Sequence, residues 1–234
     1  MELSLSMPKL KLRILYEDNH LLAVVKPAGL ATMGVSGHEH SLLTIAKDYI
    51  KRRYNKPGNV YLGVMSRLDA PATGVVLFAR TSKAAARLTE QFRTHAVDKV
   101  YWAIVEGTLE PTAGSFTDYL GKDEQHRRMR IVGAGLPGAK LAKLTYRKLS
   151  DIQGQSLVEI ALKTGRKHQI RLQFAHHGHP LLGDRKYGGR QHFPSGIALH
   201  ARRLAVAHPV KGEQIVFEAP LPDVWYRWGV RQPS

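Results

Sequence analysis

The sequence predicts an α+β fold: a mixed, largely antiparallel sheet with helices packed on it. Nine apolar runs or alternations rich in Val, Ile, Leu and aromatic residues read as strands, whereas three segments hold helical spacing. Strands and helices do not alternate regularly, which argues against a doubly wound parallel sheet.

The strands fall near 12–16, 20–25, 60–65, 74–80, 100–106, 142–149, 156–163, 199–206 and 214–218. The first helix is SLLTIAKDYIKRRY, residues 41–54, with Ser41 placed to cap it and Leu42, Ile45, Ala46, Tyr49 and Ile50 at helical spacing. A second, SKAAARLTEQFR, follows a cap at Thr81 or Ser82 and sets Ala85, Leu88 and Phe92 on one face. The third is RKHQIRLQFAHH, residues 166–177. Its Ile170, Phe174 and His177 share a face, so Arg171 is expected off the core stripe. No Pro/Gly/Ser-rich linker divides the chain, and one domain over residues 1–234 is expected, with 120–140, rich in Gly and basic residues, as a mobile surface excursion.

Charge narrows the partners. The 234 residues carry 35 Lys+Arg against 19 Asp+Glu, a formal net charge of +16. The excess clusters in KRRYNK (51–56), HRRMR (126–130) and the acid-free KTGRKHQIR (163–171), so a polyanion is the expected partner and a solvated basic face the alternative. None of these runs is an amphipathic helix with a broad apolar face, as a membrane-surface helix requires. No apolar run approaches the roughly 18 residues of a membrane span, and the opening MELSLSMPKLKLRIL lacks the apolar core of a signal peptide. No membrane association and a cytoplasmic location are expected. With no cysteine, thiolate catalysis and cysteine-based metal sites are excluded.

Several motifs fail on context. GAGLPG (133–138) matches GxGxxG after the strand-like RMRIV, but AKLAKLTYRKL alternates like a strand where a helix is needed. Neither GxxxxGK[ST] nor GxSxG occurs. HHGH (176–179) and HEH (38–40) lack a carboxylate at helical spacing, and no metal site is expected. What stands out is SRLDAPATGVVLFART, residues 66–81, in which Asp69 precedes a buried-looking strand and follows Arg67 by two residues. Residue pattern alone leaves open a reactive loop carboxylate or a structural Asp capping a turn before Pro71.

Three segments resemble the RluA-type pseudouridine synthase family. RLDAPATG (67–74) is similar to RLDxxTSG, DKVYWAIVEG (98–107) to EKxYxAxVxG, and TGRKHQIRLQFAHHGHPLLGDRKYGG (164–189) to GRxHQIRxHxxxxGHPIxGDxxYG. LRILYEDNHLLAVVKPAGL at the start and LHARRLAVAHPVKGEQIVFEAPLP at the end extend the likeness over about 12–222.

The resemblance implies isomerisation of uridine in RNA without a cofactor: N1–C1′ breaks, the base turns over, and C5 bonds to C1′. It implies that Asp69 is the catalytic aspartate, that Arg171 pairs with it, and that Tyr101 stacks on the target base. Arg67 would fill the space a flipped base vacates, and Arg166 and His168 would bind substrate. Ser66, Ala72-Thr73 and Gln173 stand where the family usually has His, Thr-Ser and often His, which bears on loop geometry and base flipping. Many relatives carry an S4 RNA-binding domain; here the basic surface of the catalytic domain is expected to hold the RNA. Ribosomal RNA is the leading substrate and transfer RNA the second, presented as a stem-loop, with no obligate protein partner.

Two other readings compete. A noncatalytic RNA-binding protein has no need of Asp69, Tyr101 and Arg171 together. A retaining glycosidase or nucleosidase needs a second carboxyl about 5 to 5.5 Å from the first, and no second acid is expected among the matched motifs.

Overall fold

The computed structural model describes residues 11–34 and 40–231. In chain order the elements are β1 (Arg13–Glu17), β2 (Leu21–Lys26), α1 (Leu42–Arg53), β3 (Gly63–Val64), β4 (Thr73–Ala79), α2 (Ser82–Arg93), β5 (Asp98–Val105), β6 (Ala113–Asp123), β7 (Arg128–Val132), β8 (Lys140–Ile152), β9 (Gln155–Leu162), α3 (Gln169–His176), β10 (Leu199–Ala207), β11 (Gln214–Glu218) and α4 (Asp223–Arg227). Eleven strands form one sheet in the order β1-β2-β4-β10-β5-β9-β8-β6-β7, with β3 beside β4 and β11 beside β10. Among the described residues, only the pairing of β4 with β10 is parallel. The mixed, largely antiparallel sheet is therefore present. Among the described residues, no helix is long and apolar enough to cross a membrane.

The parallel contact matters for the site. It sets Thr73 and Gly74 against His200 and Ala201, immediately after the loop that carries Asp69. Gly74 has φ +119, and a Cβ there would run into the backbone of Ala201. Only glycine lets β4 leave that loop and meet β10 at this separation. The next residues, Val75 to Ala79, are buried and alternate between two apolar clusters on the two faces of the sheet.

Helix α1 begins at a capping box in which the Ser41 hydroxyl accepts from Thr44 N–H and the Thr44 hydroxyl accepts from Ser41 N–H. It buries Leu42, Ala46 and Ile50. Thr81 caps α2, accepting from Ala84 N–H at 3.1 Å, and Ala84, Ala85 and Leu88 pack on β2 and β4.

Residues 120–140 do not form an excursion. Strands β6 and β7 pair as a hairpin, and GAGLPG is the exposed connection from β7 to β8 with no helix after it. The region reads as loop because its charges and glycines outnumber its apolar residues. Met129 and Ile131 nevertheless turn inward with Leu120 to pack around Leu172 of α3, while Arg128 and Arg130 face solvent. That cover explains a second difference. Gln169 through Phe174 are six consecutive buried residues, so α3 is enclosed on all sides and Arg171 is buried. Strand β6, the 3-10 turn Arg185–Tyr187 and α4 have no counterpart in the sequence-based prediction.

Candidate active site

Asp69 lies in the loop of residues 65–72, and neighbouring segments clamp the backbone on both sides of it. Thr32 Oγ1 donates to the Leu68 carbonyl at 2.9 Å and accepts from Leu68 N–H at 3.1 Å. Lys26, fully buried at the end of β2, donates to the carbonyls of Pro27, Leu30 and Ala70 at 2.8, 2.8 and 2.9 Å. Gly29 N–H also reaches the Ala70 carbonyl, and Ile197 N–H the Pro71 carbonyl. Burial pulls the Lys26 pKa down to about 7 against the opposing pull of the Asp69 charge. Three carbonyl acceptors match the three protons of its ammonium form.

The Asp69 side chain meets α3. Arg171 Nη1 donates to Asp69 Oδ2 at 2.7 Å, while its Nε and Nη2 form a two-bond fork with Asp184 at 2.6 and 2.8 Å. Asp184 is 1% exposed. The guanidinium also lies 5.1 Å from the Tyr187 ring centroid. Burial opposes the Arg171 charge, but the hydrogen bonds and charges of Asp184, then Asp69, raise its pKa above the ordinary guanidinium value. The sequence pattern expected no second acid in the matched motifs; besides Asp69 they hold three, Asp98, Glu106 and Asp184, and Asp184, in GDRKYGG, is the one bonded to Arg171. It is enclosed behind Arg171, so it orients the arginine and is not a second carboxyl facing the cleft. Its loop depends on Gly189, where a Cβ would clash with the Leu181 carbonyl.

His168 reaches Asp69 from another side. It precedes α3 with φ 55, and the Gln169 amide oxygen closes the turn by accepting from Arg166 N–H and Thr164 Oγ1. Residues 166–168 are therefore a turn, and the helix starts at Gln169. Tyr187 Oη accepts from Met129 N–H at 3.1 Å and lies 2.7 Å from His168 Nδ1. With Tyr187 donating to Nδ1, the imidazole proton sits on Nε2, which faces Asp69 Oδ1 at 3.6 Å. Burial lowers the His168 pKa to about 4, Asp69 opposing and Arg171 reinforcing the shift, so the ring is neutral at pH 7.

Asp69, Arg171 and His168 open onto a cleft of about 550 Å³ that Arg67, Tyr101 and Arg166 also line. The six residues singled out by the sequence thus share one site. Tyr101 projects from β5, and burial, then the charge of Asp69, pushes its phenol up to about 12. Arg67 is exposed and, among the described residues, its side chain forms no hydrogen bond or ion pair. Arg166 is exposed, with Nε on the Leu141 carbonyl at 3.0 Å.

The departures from the family pattern are structural. Ser66 Oγ accepts from Leu77 N–H at 3.0 Å, and Ala72 is buried. Thr73 Oγ1 lies 2.8 Å from His200 Nδ1, while Gln173 donates to Asp118 at 2.7 Å. The histidines of HHGH are dispersed: His177 stacks on Phe116 and faces Asp118, and His179 Nδ1 meets the Glu106 carbonyl at 3.0 Å. Of HEH, His38 and Glu39 lie outside the described residues.

Residues 20–176 match the RNA pseudouridylate synthase family model. The chain belongs to that family. Ribosomal large subunit pseudouridine synthase D of Pseudomonas aeruginosa is 35% identical to this synthase, over 92% of the present chain and 69% of the relative. An uncharacterized RNA pseudouridine synthase of Bacillus subtilis is 36% identical over 91% of the chain and 69% of its own length. The solved structure of human RNA pseudouridylate synthase domain containing 4 superposes with a TM-score of 0.79 at 26% identity and covers 95% of each chain. This pseudouridine synthase is accordingly an isomerase, and its fold and chemistry class agree with the resemblance carried by the three motifs.

Sequence pattern missed Asp184, Lys26 and Tyr187. Each had a local signal: an acid after glycine inside a matched motif, a lysine ending the apolar run LLAVV, and a tyrosine three residues beyond the acid.

Proposed function

We propose that the synthase isomerises uridine in ribosomal RNA with Asp69 as its catalytic carboxylate. The observation that carries the assignment is the Asp69–Arg171 contact at 2.7 Å, on a partly exposed carboxylate at the wall of a basic cleft. The carboxylate acts on the ribose C1′ or on the base: N1–C1′ breaks, the base rotates, and C5–C1′ forms as C5 loses its proton and N1 gains one. Nothing enters or leaves except protons, so the cleft must hold a detached uracil in register with its ribose.

Tyr101 supplies a flat platform for the base. Its phenol is protonated at pH 7 and able to donate a hydrogen bond. Arg171 orients Asp69, and neutral His168 presents an N–H to its second oxygen. Arg67 and Arg166 meet the RNA around the target, which leaves its stack to be reached. The ribosomal assignment follows the names of the relatives; the activity itself rests on the family.

Mapping pseudouridines across total RNA from cells with the gene, without it, and with Asp69→Asn tests this. Ribosomal positions should lose pseudouridine in both altered strains. Retention of every ribosomal pseudouridine in the deletion strain rejects the ribosomal target. Wild-type levels with Asp69→Asn reject the catalytic assignment.

A further inference from the structure

A second hollow, of about 200 Å³, lies beside the cleft and shares two of its residues, Lys99 and Leu162. It is formed where β5 begins, β9 ends and β10 passes, with His95 at its edge. Three basic side chains line it, Lys99, Lys163 and Arg203, against one acid, Asp98. Among the described residues, none of these three cationic side chains forms an ion pair or hydrogen bond. Lys163 is exposed, but Lys99 and Arg203 are half-buried and lack the facing carboxylate that usually accompanies such a cation.

Lys99 is the link between the two cavities. It precedes Tyr101 by two residues on β5, so strand alternation sends both side chains to the same side, with origins ~7 Å apart. That interval is comparable to one step of a splayed nucleic-acid backbone. A nucleotide whose base rests against Tyr101 therefore has an adjoining phosphate within reach of Lys99. Burial, then the charge of Arg166, depresses the Lys99 pKa, so an arriving anion would relieve both penalties. Arg166, Lys99, Lys163 and Arg203 make a run of positive charge leading out of the cleft.

We propose that this hollow is a phosphate subsite for the RNA backbone beside the target uridine, with Lys99, Lys163 and Arg203 as its cations. The proposal builds on the RNA-isomerase reading, but its ligand is the backbone, independent of the reaction. The subsite positions the strand while base-edge contacts elsewhere choose the uridine.

The test uses the full chain and a short fluorescein-labelled oligouridylate, followed by anisotropy over a range of salt concentrations. Lys163→Gln/Arg203→Gln should weaken binding about tenfold at moderate salt. It should also make the slope of log K against log salt shallower by roughly 0.7 to 1.4, the loss of one or two single-strand phosphate contacts. The control, Lys211→Gln/Arg227→Gln, removes equal charge from exposed positions in the β10–β11 turn and α4, and should change affinity much less.

Equal affinity and slope for wild type and the hollow variant would overturn the proposal. So would equal losses in both double variants, since net charge alone would then account for the effect. Competition by millimolar inorganic phosphate at constant ionic strength should be seen in wild type and be lost in the hollow variant, since free and backbone phosphate would share these cations. Competition equally strong in both proteins would place the displaced RNA contact elsewhere and overturn the proposal. Pseudouridine formation is read separately. A wild-type protein that binds the oligomer through these cations yet converts no uridine in ribosomal RNA supports the subsite and contradicts the proposed function.

Discussion

Arg171 and Asp184 close a two-bond ring, Nε to Oδ2 at 2.6 Å and Nη2 to Oδ1 at 2.8 Å, in a setting where both side chains are buried. This fixes the plane of the guanidinium and leaves Nη1 aimed at Asp69. The aspartate in the cleft is therefore oriented by an acid that never meets the substrate.

Asp184→Asn keeps the volume but sets an amide N–H against a guanidinium N–H. Breaking one side of a buried pair costs roughly 3 to 5 kcal/mol. Both Asp184→Asn and Arg171→Ala should lower stability by an amount in that range. In a double-mutant cycle they should fall short of additivity by more than ~1 kcal/mol, because the second change removes a charge the first left unpaired. Urea melts of the four proteins decide it. Simple addition of the two effects would mean that the fork does not act as a unit.

Tyr101 separates stacking from proton handling. Tyr101→Phe retains the ring and loses only the hydroxyl, whereas Tyr101→Ala loses both. If the platform alone matters, Phe should hold single-turnover rates near wild type and Ala should lose them, together with ~1 to 3 kcal/mol of RNA affinity from stacking. If the phenol donates during base rotation, Phe should bind normally and turn over at least tenfold more slowly. The cleft that the phenol shares with Asp69, whose charge acts on it, favours the second outcome.

Acid should destabilise the fold through two histidines. His168 and His200 both have pKa values lowered to about 4, chiefly by burial. His200 donates from Nε2 to the Ala219 carbonyl and accepts from Thr73 at Nδ1, so its neutral form uses both nitrogens. Between the folded pKa near 4 and the unfolded value near 6.5, the unfolded chain holds more protons. The stability these groups contribute is complete above the unfolded value and is lost as pH falls toward 4. The loss reaches up to about 3 kcal/mol per histidine at ~1.4 kcal/mol per unit. Urea midpoints measured from about pH 7.5 down to about pH 4.5 should fall, and the decline should be shallower in His200→Gln. A midpoint that stays level over that range contradicts the neutral assignments.

What was legible in the sequence follows from how local each signal is. The caps Ser41 and Thr81 stand directly before their helices, so α1 and α2 could be read from neighbouring residues. Helix α3 was legible as a helix but misleading as to orientation. An amphipathic stripe presumes one wet face, and the β6–β7 hairpin with Tyr187 removes it. The hairpin itself hid because only β7 is legible, as the strand-like RMRIV, whereas its partner β6, AGSFTDYLGKD, buries few of its residues and carries a weak apolar pattern. Asp69 and Arg171 are 102 residues apart, and no periodicity links them. Their pairing entered through the likeness of three separated motifs, and Asp184 was overlooked inside one of them.

Arg67 belongs to a loop that other residues hold in place. A loop anchor should hold something, yet Leu68, Ala70 and Pro71 are held by Thr32, Lys26, Gly29 and Ile197, and the exposed Arg67 side chain contributes no bond among the described residues. An unattached guanidinium at the cleft is free to enter the space a flipped uridine leaves. Extrusion costs a few kcal/mol from a paired stem and least from an unpaired strand, and a planar side chain in the gap offsets part of it. Arg67→Ala should therefore slow modification of a folded stem-loop far more than that of a short unstructured RNA with the same flanks. Arg67→Lys should recover little, since it restores charge without a stacking plane. Single-turnover rates for wild type and both variants on the two RNAs give the answer. Equal losses on both RNAs would return Arg67 to the scaffold around Asp69, and a full rescue by lysine would reduce its part to charge.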